Sequence, residues 1–346
     1  MIRSNLLIRP LIASRFASRS IPNDPLYDNL PELVSDDHEL QNKSVQLAEI
    51  KKQIRDFQKI EEMIKGKNSY FRAEADQIDS ILKIEHIAAS NDLELDIVQK
   101  IICKSPELEE KYAFTDAVVQ YPFHSGEARR FSKAKNKRFA NFHKAIYDEK
   151  IVAICKRPSF KTMKDFTSSI NSKFNFTKPL GNIRVLVENM KHSQNIVSVI
   201  NSCNHFGVNS VHLTANSTDC FSPDILAETN CGFLSLPIEE NCKVDEEDWF
   251  CGDFTPFFVL MEKSADAFED EEIVAISHFG IDWSYPNIVL VFGQESSGIS
   301  KTFYEKIRDH KPVVGVIETS LDLPLSLSSS VAITVSEAFR QNSTFE

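Results

Sequence analysis

The sequence predicts an α/β fold: a parallel sheet covered by helices, preceded by a smaller α/β domain. Three observations predict it. From Gly181 onward, strand-length apolar runs alternate with helix-length amphipathic stretches. Before residue 158 helical periods and one apolar strand occur together, and a Ser-, Thr-, Asn- and Lys-rich stretch separates the two regions. A length of 346 residues also suits two domains more readily than one. With 42% hydrophobic and 26% charged residues the composition is that of a globular chain, which excludes collagen-like and low-complexity proteins. No run of 18 apolar residues occurs, so no membrane-spanning helix or membrane partner is expected. A net charge of −11 argues against non-specific coating of nucleic acid but leaves room for a local basic patch. The seven cysteines are odd in number and contain no Cys-x-x-Cys pair, which suits a reducing compartment rather than a disulfide scaffold or zinc ribbon.

The elements follow in chain order. Residues 1–20 contain Arg3, Arg9, Arg15 and Arg19 with several serines and no acid, the composition of a mitochondrial transit peptide. Pro10 would interrupt a single helix there, and the alternative is a disordered tail. Residues 21–64 read as a leader followed by a helix over 45–64, with Leu47, Ile50, Ile54, Phe57 and Ile60 at helical spacing. The first domain spans 65–158, with helices expected over 76–87 and 92–103 and a buried strand over 150–156. Residues 159–179 read as a linker. In the second domain, 180–346, strands are expected over 183–187, 210–213, 257–261, 288–292 and 313–317. Helices are expected over 193–206, 299–309 and 326–340. The last of these carries an apolar stripe of Leu327, Val331, Val335 and Phe339, read as an exposed face that calls for a second copy of the chain. Parallel sheets place ligands at the carboxyl ends of their strands, so the loops after Val187, Phe292 and Ile317 are the ones to inspect.

One basic cluster stands out. Arg129, Arg130, Lys133, Lys135, Lys137 and Arg138, followed by Lys144, run without an acidic residue and interleave with Phe131, Phe139 and Phe142. Cations neutralise phosphates and aromatic faces stack on unpaired bases, so the cluster is a candidate RNA-binding surface; the alternative is a solvated helix face whose phenylalanines dock on the core. The acidic stretches 239–248 and 266–272 read as surface loops, and no metal site is expected.

The strand-end loops carry the strongest motif. Val291-Phe292-Gly293-Gln294-Glu295-Ser296-Ser297-Gly298-Ile299 resembles the Phe-Gly-x-Glu-x-x-Gly-Ile/Leu signature of the SpoU/TrmH branch of the SPOUT RNA methyltransferases. Three more segments match in order. The run from Val185-Leu186-Val187-Glu188-Asn189 through Gln194-Asn195-Ile196 to His205-Phe206-Gly207-Val208 is similar to the family's first motif. Phe221-Ser222-Pro223, Gly232 and Leu236-Pro237 resemble an intervening Ser-Pro…Gly…Leu-Pro segment. Ser326-Leu327-Ser328-Ser329-Ser330-Val331-Ala332 occupies the place of the third motif, Ser-Leu-Asn-x-Ser-x-Ala. The resemblance covers about residues 181–340.

That resemblance implies a trefoil-knotted parallel sheet, a homodimer, S-adenosylmethionine as methyl donor, and methylation of a ribose 2′-hydroxyl in ribosomal RNA before transfer RNA. It implies a donor pocket of Gly293, Gln294, Glu295, Gly298, Ile317, Ser326 and Leu327, and a reaction centre at Asn195, Asn201, Glu295 and Ser328. An RNA-gripping domain would precede it, ending in the strand Ile151-Val152-Ala153-Ile154-Cys155-Lys156. With the leader, the chain resembles mitochondrial rRNA methyltransferases of this family, placing it in the matrix. Simpler roles stand beside these: Gly293 as a turn glycine, Glu295 as a carboxylate at a helix start, Asn195 as a helix cap. The chain also departs from the pattern. Asn201 stands where the family has an arginine, Ser328 where it has an asparagine, and Glu318-Thr319-Ser320 where Ile-Pro-Met is expected. Asparagine neither takes up a proton nor supplies positive charge; Arg184 or the partner subunit's Arg340 are candidate replacements. Three functional readings follow: an active methyltransferase with an altered centre, a SPOUT-fold RNA- or ribosome-binding protein without catalysis, or a different small-molecule- or protein-binding role on the same fold.

Overall fold

The computed structural model describes residues 59–60, 63, 69–115, 117–120, 146, 148, 151–174, 182–244, 249, 253–268, 270, 272–294, 296–320 and 325–343. The leader, most of the 45–64 helix and the whole 129–144 basic cluster lie outside them. The chain divides into two compact units, one comprising residues up to Leu82 with Asp96–Arg157, the other Lys83–Leu95 with Pro158–Glu346. No helix among the described residues is long and apolar enough to cross a membrane.

The first unit holds a four-stranded sheet in the order β1-β4-β2-β3, with β1 Tyr70–Ala73, β2 Val98–Cys103, β3 Val118–Gln120 and β4 Ile151–Lys156. Ile151 through Cys155 are all buried, in keeping with an unbroken apolar run; β4 lies between two antiparallel neighbours, and its Val152 and Ile154 pack with Ile60, Ile102 and Ile146. Helix α1 (Ala75–Ala89) follows β1, and α2 (Pro106–Lys111) begins at Ser105, whose hydroxyl accepts the Leu108 amide. Ile60, Ile102, Ile146, Val152 and Ile154 form the unit's core cluster. The helix expected over 92–103 is instead irregular backbone leading into strand β2, Val98–Cys103. Asp92 (φ 59°) and Asp96 (φ 44°) sit in the left-handed region, which breaks helical continuation, and Ile101–Cys103 bury in the sheet ladder.

The stretch expected as a linker forms helix α3 (Phe160–Phe174). Its polar composition hid two residues one turn apart, Met163 and Phe166, which bury against Ala88, Ile84, Leu93 and Leu95 within the second unit. The Ser159 hydroxyl accepts the Thr162 amide and starts the helix.

The second unit's sheet has seven strands: β5 Ile183–Val187, β6 Ser210–Thr214, β7 Ile238–Cys242, β8 Phe257–Met261, β9 Ala275–Ser277, β10 Ile288–Phe292 and β11 Val313–Val316. Every pairing is parallel, in the order β7-β6-β5-β10-β8-β11-β9. All five residues of β5 and of β10 are buried. Strand β7 takes up the start of the expected surface loop at 239–248: Glu239 and Glu240 are held by pairing with β6 despite their charge. Among the described residues, four α-helices follow strands of this sheet: α4 Ser193–His205, α5 Pro223–Glu228, α6 Lys301–Ile307 and α7 Leu327–Asn342. Because β10 enters between β5 and β8, the carboxyl ends of these strands converge where the sheet's growth reverses, the place at which such sheets open a crevice.

The apolar stripe of α7 is covered within the chain rather than left for a second copy. Leu327, Val331 and Val335 are buried, and Phe339 meets Phe206 at the end of α4 with ring centroids 5.7 Å apart. The large apolar side chains exposed in this region, among the described residues, are Leu325, Ile333 and Phe279.

Candidate active site

The loop after β10 closes on itself. The Gln294 amide donates to the Gly298 carbonyl at 3.0 Å, and the Gly298 amide returns to the Gln294 carbonyl at 2.8 Å. Gly298 takes φ +67°, a conformation that disfavours a side chain. Gly293 is needed for a different reason than ligand approach: a Cβ there would lie 2.0 Å from the Gly298 carbonyl carbon and 2.1 Å from the Ile299 nitrogen. The space that its missing side chain leaves is taken by the returning backbone of its own loop.

Two carboxylates fix that loop to the sheet. Glu188, the residue after β5, accepts the Ser300 amide at 2.8 Å and the Ser300 hydroxyl at 2.6 Å. Ser300 in turn accepts the Phe303 amide at 3.2 Å and starts α6. Glu262, the residue after β8, accepts the Ile299 amide through Oε1, and its own amide donates to the Gly315 carbonyl of β11. A Cβ on Gly298 would lie 2.4 Å from that Oε1, so the glycine makes room for the carboxylate. Burial raises the Glu262 carboxyl above its ordinary value; the Ile299 and Lys263 amides oppose this, and the Glu188 charge adds to it. Consecutive backbone amides, those of Ile299 and Ser300, are thus held by carboxylates from two strands flanking β10. Hydrogen bonds of this charged kind contribute about 1.5–3 kcal/mol each.

Of the residues chosen from sequence, Gly293, Gln294 and Gly298 are gathered in this loop, and Ile317 lies half-buried just past β11 at the same edge of the sheet. Ser326 caps α7: its hydroxyl accepts the Ser329 amide and meets the Ser328 hydroxyl at 3.0 Å. Leu327 is buried one residue later. Asn195 is half-buried in the first turn of α4; the cap there is His192, so Asn195 is not a cap. The Asn201 amide reaches the Glu228 carbonyl of α5 at 3.5 Å, and its position lies six residues, about 9 Å, along α4 from Asn195. Glu295 and the cluster Arg129, Arg130, Lys133, Lys135, Lys137 and Arg138 lie outside the described residues.

Of the candidate replacement arginines, Arg184 is engaged elsewhere. Arg184 is buried near the amino end of β5, where it donates to the Trp249 carbonyl and Asn287 Oδ1, both at 2.6 Å. Arg340 forms two 2.7 Å bonds to Glu337. Sequence reasoning passed over Glu188 and Glu262 as site residues. The signal was present, since each is an acid directly after an apolar strand.

Residues 182–314 match the SpoU rRNA Methylase family. Comparison of the sequence with curated proteins gives no match. Among solved structures, the fold resembles the SpoU methyltransferase AviRb from Streptomyces viridochromogenes in complex with AdoMet, with a TM-score of 0.54 at 14% identity over 83% of this chain and 98% of that one. It also resembles an AdoMet-bound rRNA methyltransferase from Sinorhizobium meliloti, with a TM-score of 0.51 at 17% identity over 79% of this chain and 87% of that one. A third similar structure is a TrmH-family RNA methyltransferase, described as putative, from Porphyromonas gingivalis, with a TM-score of 0.50 at 14% identity over 79% and 90%.

Proposed function

We propose that this chain, which carries a SpoU-type methylase domain over residues 182–314, transfers a methyl group from S-adenosylmethionine to a ribose 2′-hydroxyl of ribosomal RNA in mitochondria. The observation that supports the reading best is the self-closed Gln294–Gly298 loop, held at the carboxyl ends of a parallel sheet by Glu188 and Glu262. Similar structures that carry AdoMet share this fold.

The residues present fit such a donor. It carries no phosphate, and the chain has no phosphate-binding glycine loop. It is cationic at sulfur, and two carboxylates stand at this edge of the sheet. Gln294, Gly298, Ile317 and Leu327 would hold it, and when bound it supplies an activated methyl group. The chain's own part is positioning. Glu188 and Glu262 fix the loop so that its backbone groups need no reorganisation, and much of a two-reactant acceleration comes from such placement. A 2′-hydroxyl is a weak nucleophile and must lose its proton as its oxygen bonds the methyl carbon and the methyl–sulfur bond breaks; with no base in Asn195, Asn201 or Ser328, the proton passes to water. Asn195 and Ser328 steer the hydroxyl in this reading, while Asn201 keeps α4 against α5.

A trefoil-knotted path, a homodimer through the outward residues Leu325, Ile333 and Phe279, and RNA binding by the 129–138 cluster complete the proposal. One observation favours a second reading, RNA or ribosome binding without catalysis: Arg184, a candidate to stand in for the arginine that Asn201 replaces, is buried and engaged by the Trp249 carbonyl and Asn287. Calorimetry with S-adenosylmethionine, followed by ribose-resolved mapping of mitochondrial RNA from a null mutant, tests both. The catalytic reading expects donor binding and at least one missing 2′-O-methyl group. Donor binding with an unchanged map supports the second reading, and a folded protein without donor binding sinks the first. Imaging of a tagged full-length chain checks the mitochondrial location.

A further inference from the structure

Among the described residues, one group of side chains away from the loop brings together metal-binding atoms. His212 lies on β6, and Glu239 and Cys242 lie on the edge strand β7. Their ligand atoms all lie within 4.8 Å of one another. His212 Nδ1 is 2.9 Å from Glu239 Oε2, and its Nε2 is 2.9 Å from the Ser210 hydroxyl.

Strand alternation alone would not assemble this trio. Residues three apart point to opposite faces of a regular strand. Here the register of β6 and β7 shifts between Leu213 and Thr214, and Asn241 takes φ +61°, a left-handed conformation inside a strand. The extra residue turns Cys242 to the face that Glu239 shares with His212. Glu240 points the other way, its carboxylate accepting the Cys220 amide at 2.9 Å. The bulge is thus the feature that creates the cluster, and such devices recur where a side chain must be re-aimed.

We propose that His212, Glu239 and Cys242 bind a zinc ion that fastens the edge strand β7 to β6. An imidazole, a carboxylate and a thiolate form a set suited to zinc; calcium and magnesium prefer all-oxygen shells. Tetrahedral zinc with bonds of about 2.0–2.3 Å places its ligands about 3.3–3.8 Å apart, so closure from the present spacing takes about 1 Å of side-chain movement. The Ser210 hydroxyl accepts the remaining ring N–H and orients the imidazole, the usual arrangement around a metal-bound histidine. His212 and Cys242 are buried, with the rings of Phe160 and Trp249 each 5.1 Å from the imidazole. The Glu239 side chain, 22% exposed, opens the fourth position to water. Carboxylate and thiolate together balance the divalent charge. This inference is independent of methyl transfer.

The test uses the full-length chain with zinc chloride and cobalt chloride. Competition against a chromophoric chelator should give one zinc per chain. Affinity should fall at least about tenfold in Cys242→Ser, and about 10–100-fold in Ser210→Ala, which leaves all three ligands in place. Cys220→Ser, which alters a buried thiol outside the trio, should bind as the wild type does. Cobalt on the wild type needs no variant: a near-ultraviolet thiolate charge-transfer band should appear and saturate at one equivalent. Absence of that band from folded wild-type protein overturns the proposal, as does equal zinc affinity in Cys242→Ser.

Discussion

At Gly298 one missing side chain serves two needs, a left-handed backbone and room for the Glu262 carboxylate. Gly298→Ala should lower stability by about 2 kcal/mol in urea denaturation, since the left-handed conformation alone costs about 1–2 kcal/mol for a residue with Cβ. Gly293→Ala should cost more, because its Cβ would meet backbone rather than a movable side chain. Glu262 itself predicts a pH dependence. Its folded carboxyl titrates above the ordinary value of 4.5, so the folded state holds the proton more tightly than the unfolded chain. The resulting stabilisation is present below that value and is lost as pH rises through the folded one. Urea midpoints measured from pH 4 upward should therefore fall with rising pH for the wild type relative to Glu262→Gln. An identical slope for both proteins would show that the carboxyl is not perturbed.

Among elements, the end of α7 is held by a chain of polar contacts. Glu337 accepts from Arg340 and from Gln341, while Gln341 Oε1 accepts the Trp283 amide and the Asn342 side chain donates to the Trp283 carbonyl. The Arg340 guanidinium holds the Glu337 carboxyl down at about 2, with Gln341 assisting. This contribution is present above the ordinary value of 4.5 and is lost as pH falls toward 2. Protection of the amides in the last turn of α7, measured relative to their intrinsic exchange rates, should fall over that acid range in the wild type. In Glu337→Gln that protection should be low at all pH values. A second element-scale contact joins β5 to the segments before β8. Asn287 is fully buried; it accepts from Arg184 and donates to the Trp249 and Phe254 carbonyls. Asn287→Ala should cost about 3 kcal/mol, because it leaves a buried guanidinium and two carbonyls short of a partner.

At the scale of the molecule, the proposed function rests on donor and RNA meeting the same chain. Reversing Arg129, Arg130, Lys133, Lys135 and Lys137 to Glu should weaken RNA binding and flatten its salt dependence, by about 0.7 in logarithmic slope for each single-strand phosphate that is no longer neutralised. Unchanged affinity with the fold intact would assign the cluster to solvated surface. Sedimentation at micromolar concentration should show a dimer. Its interface should involve Ile333 and Phe279 rather than the Leu327–Val335 stripe, which is already buried against the chain's own core.

The strands 183–187, 257–261 and 288–292 were legible residue by residue, because a strand buried on both faces writes a nearly continuous apolar run into the sequence, broken here only by Arg184. The glycine-bounded loop after Phe292 was legible as a motif. Elements that bury little were not. The α3 helix rests on two apolar residues in a polar stretch, and β7 is an edge strand carrying two glutamates. Nor did the sequence by itself show that Glu188 would meet Ser300, 112 residues away, that Glu262 would meet Ile299, or that a bulge at Asn241 would turn Cys242 toward His212. Local periodicity records which face of an element leaves water, and that is a property of neighbouring residues. Which polar groups then share a buried space depends on the order of strands in the sheet, and only the tertiary structure decided it, because a buried carboxylate is stable only where the folded chain brings it donors.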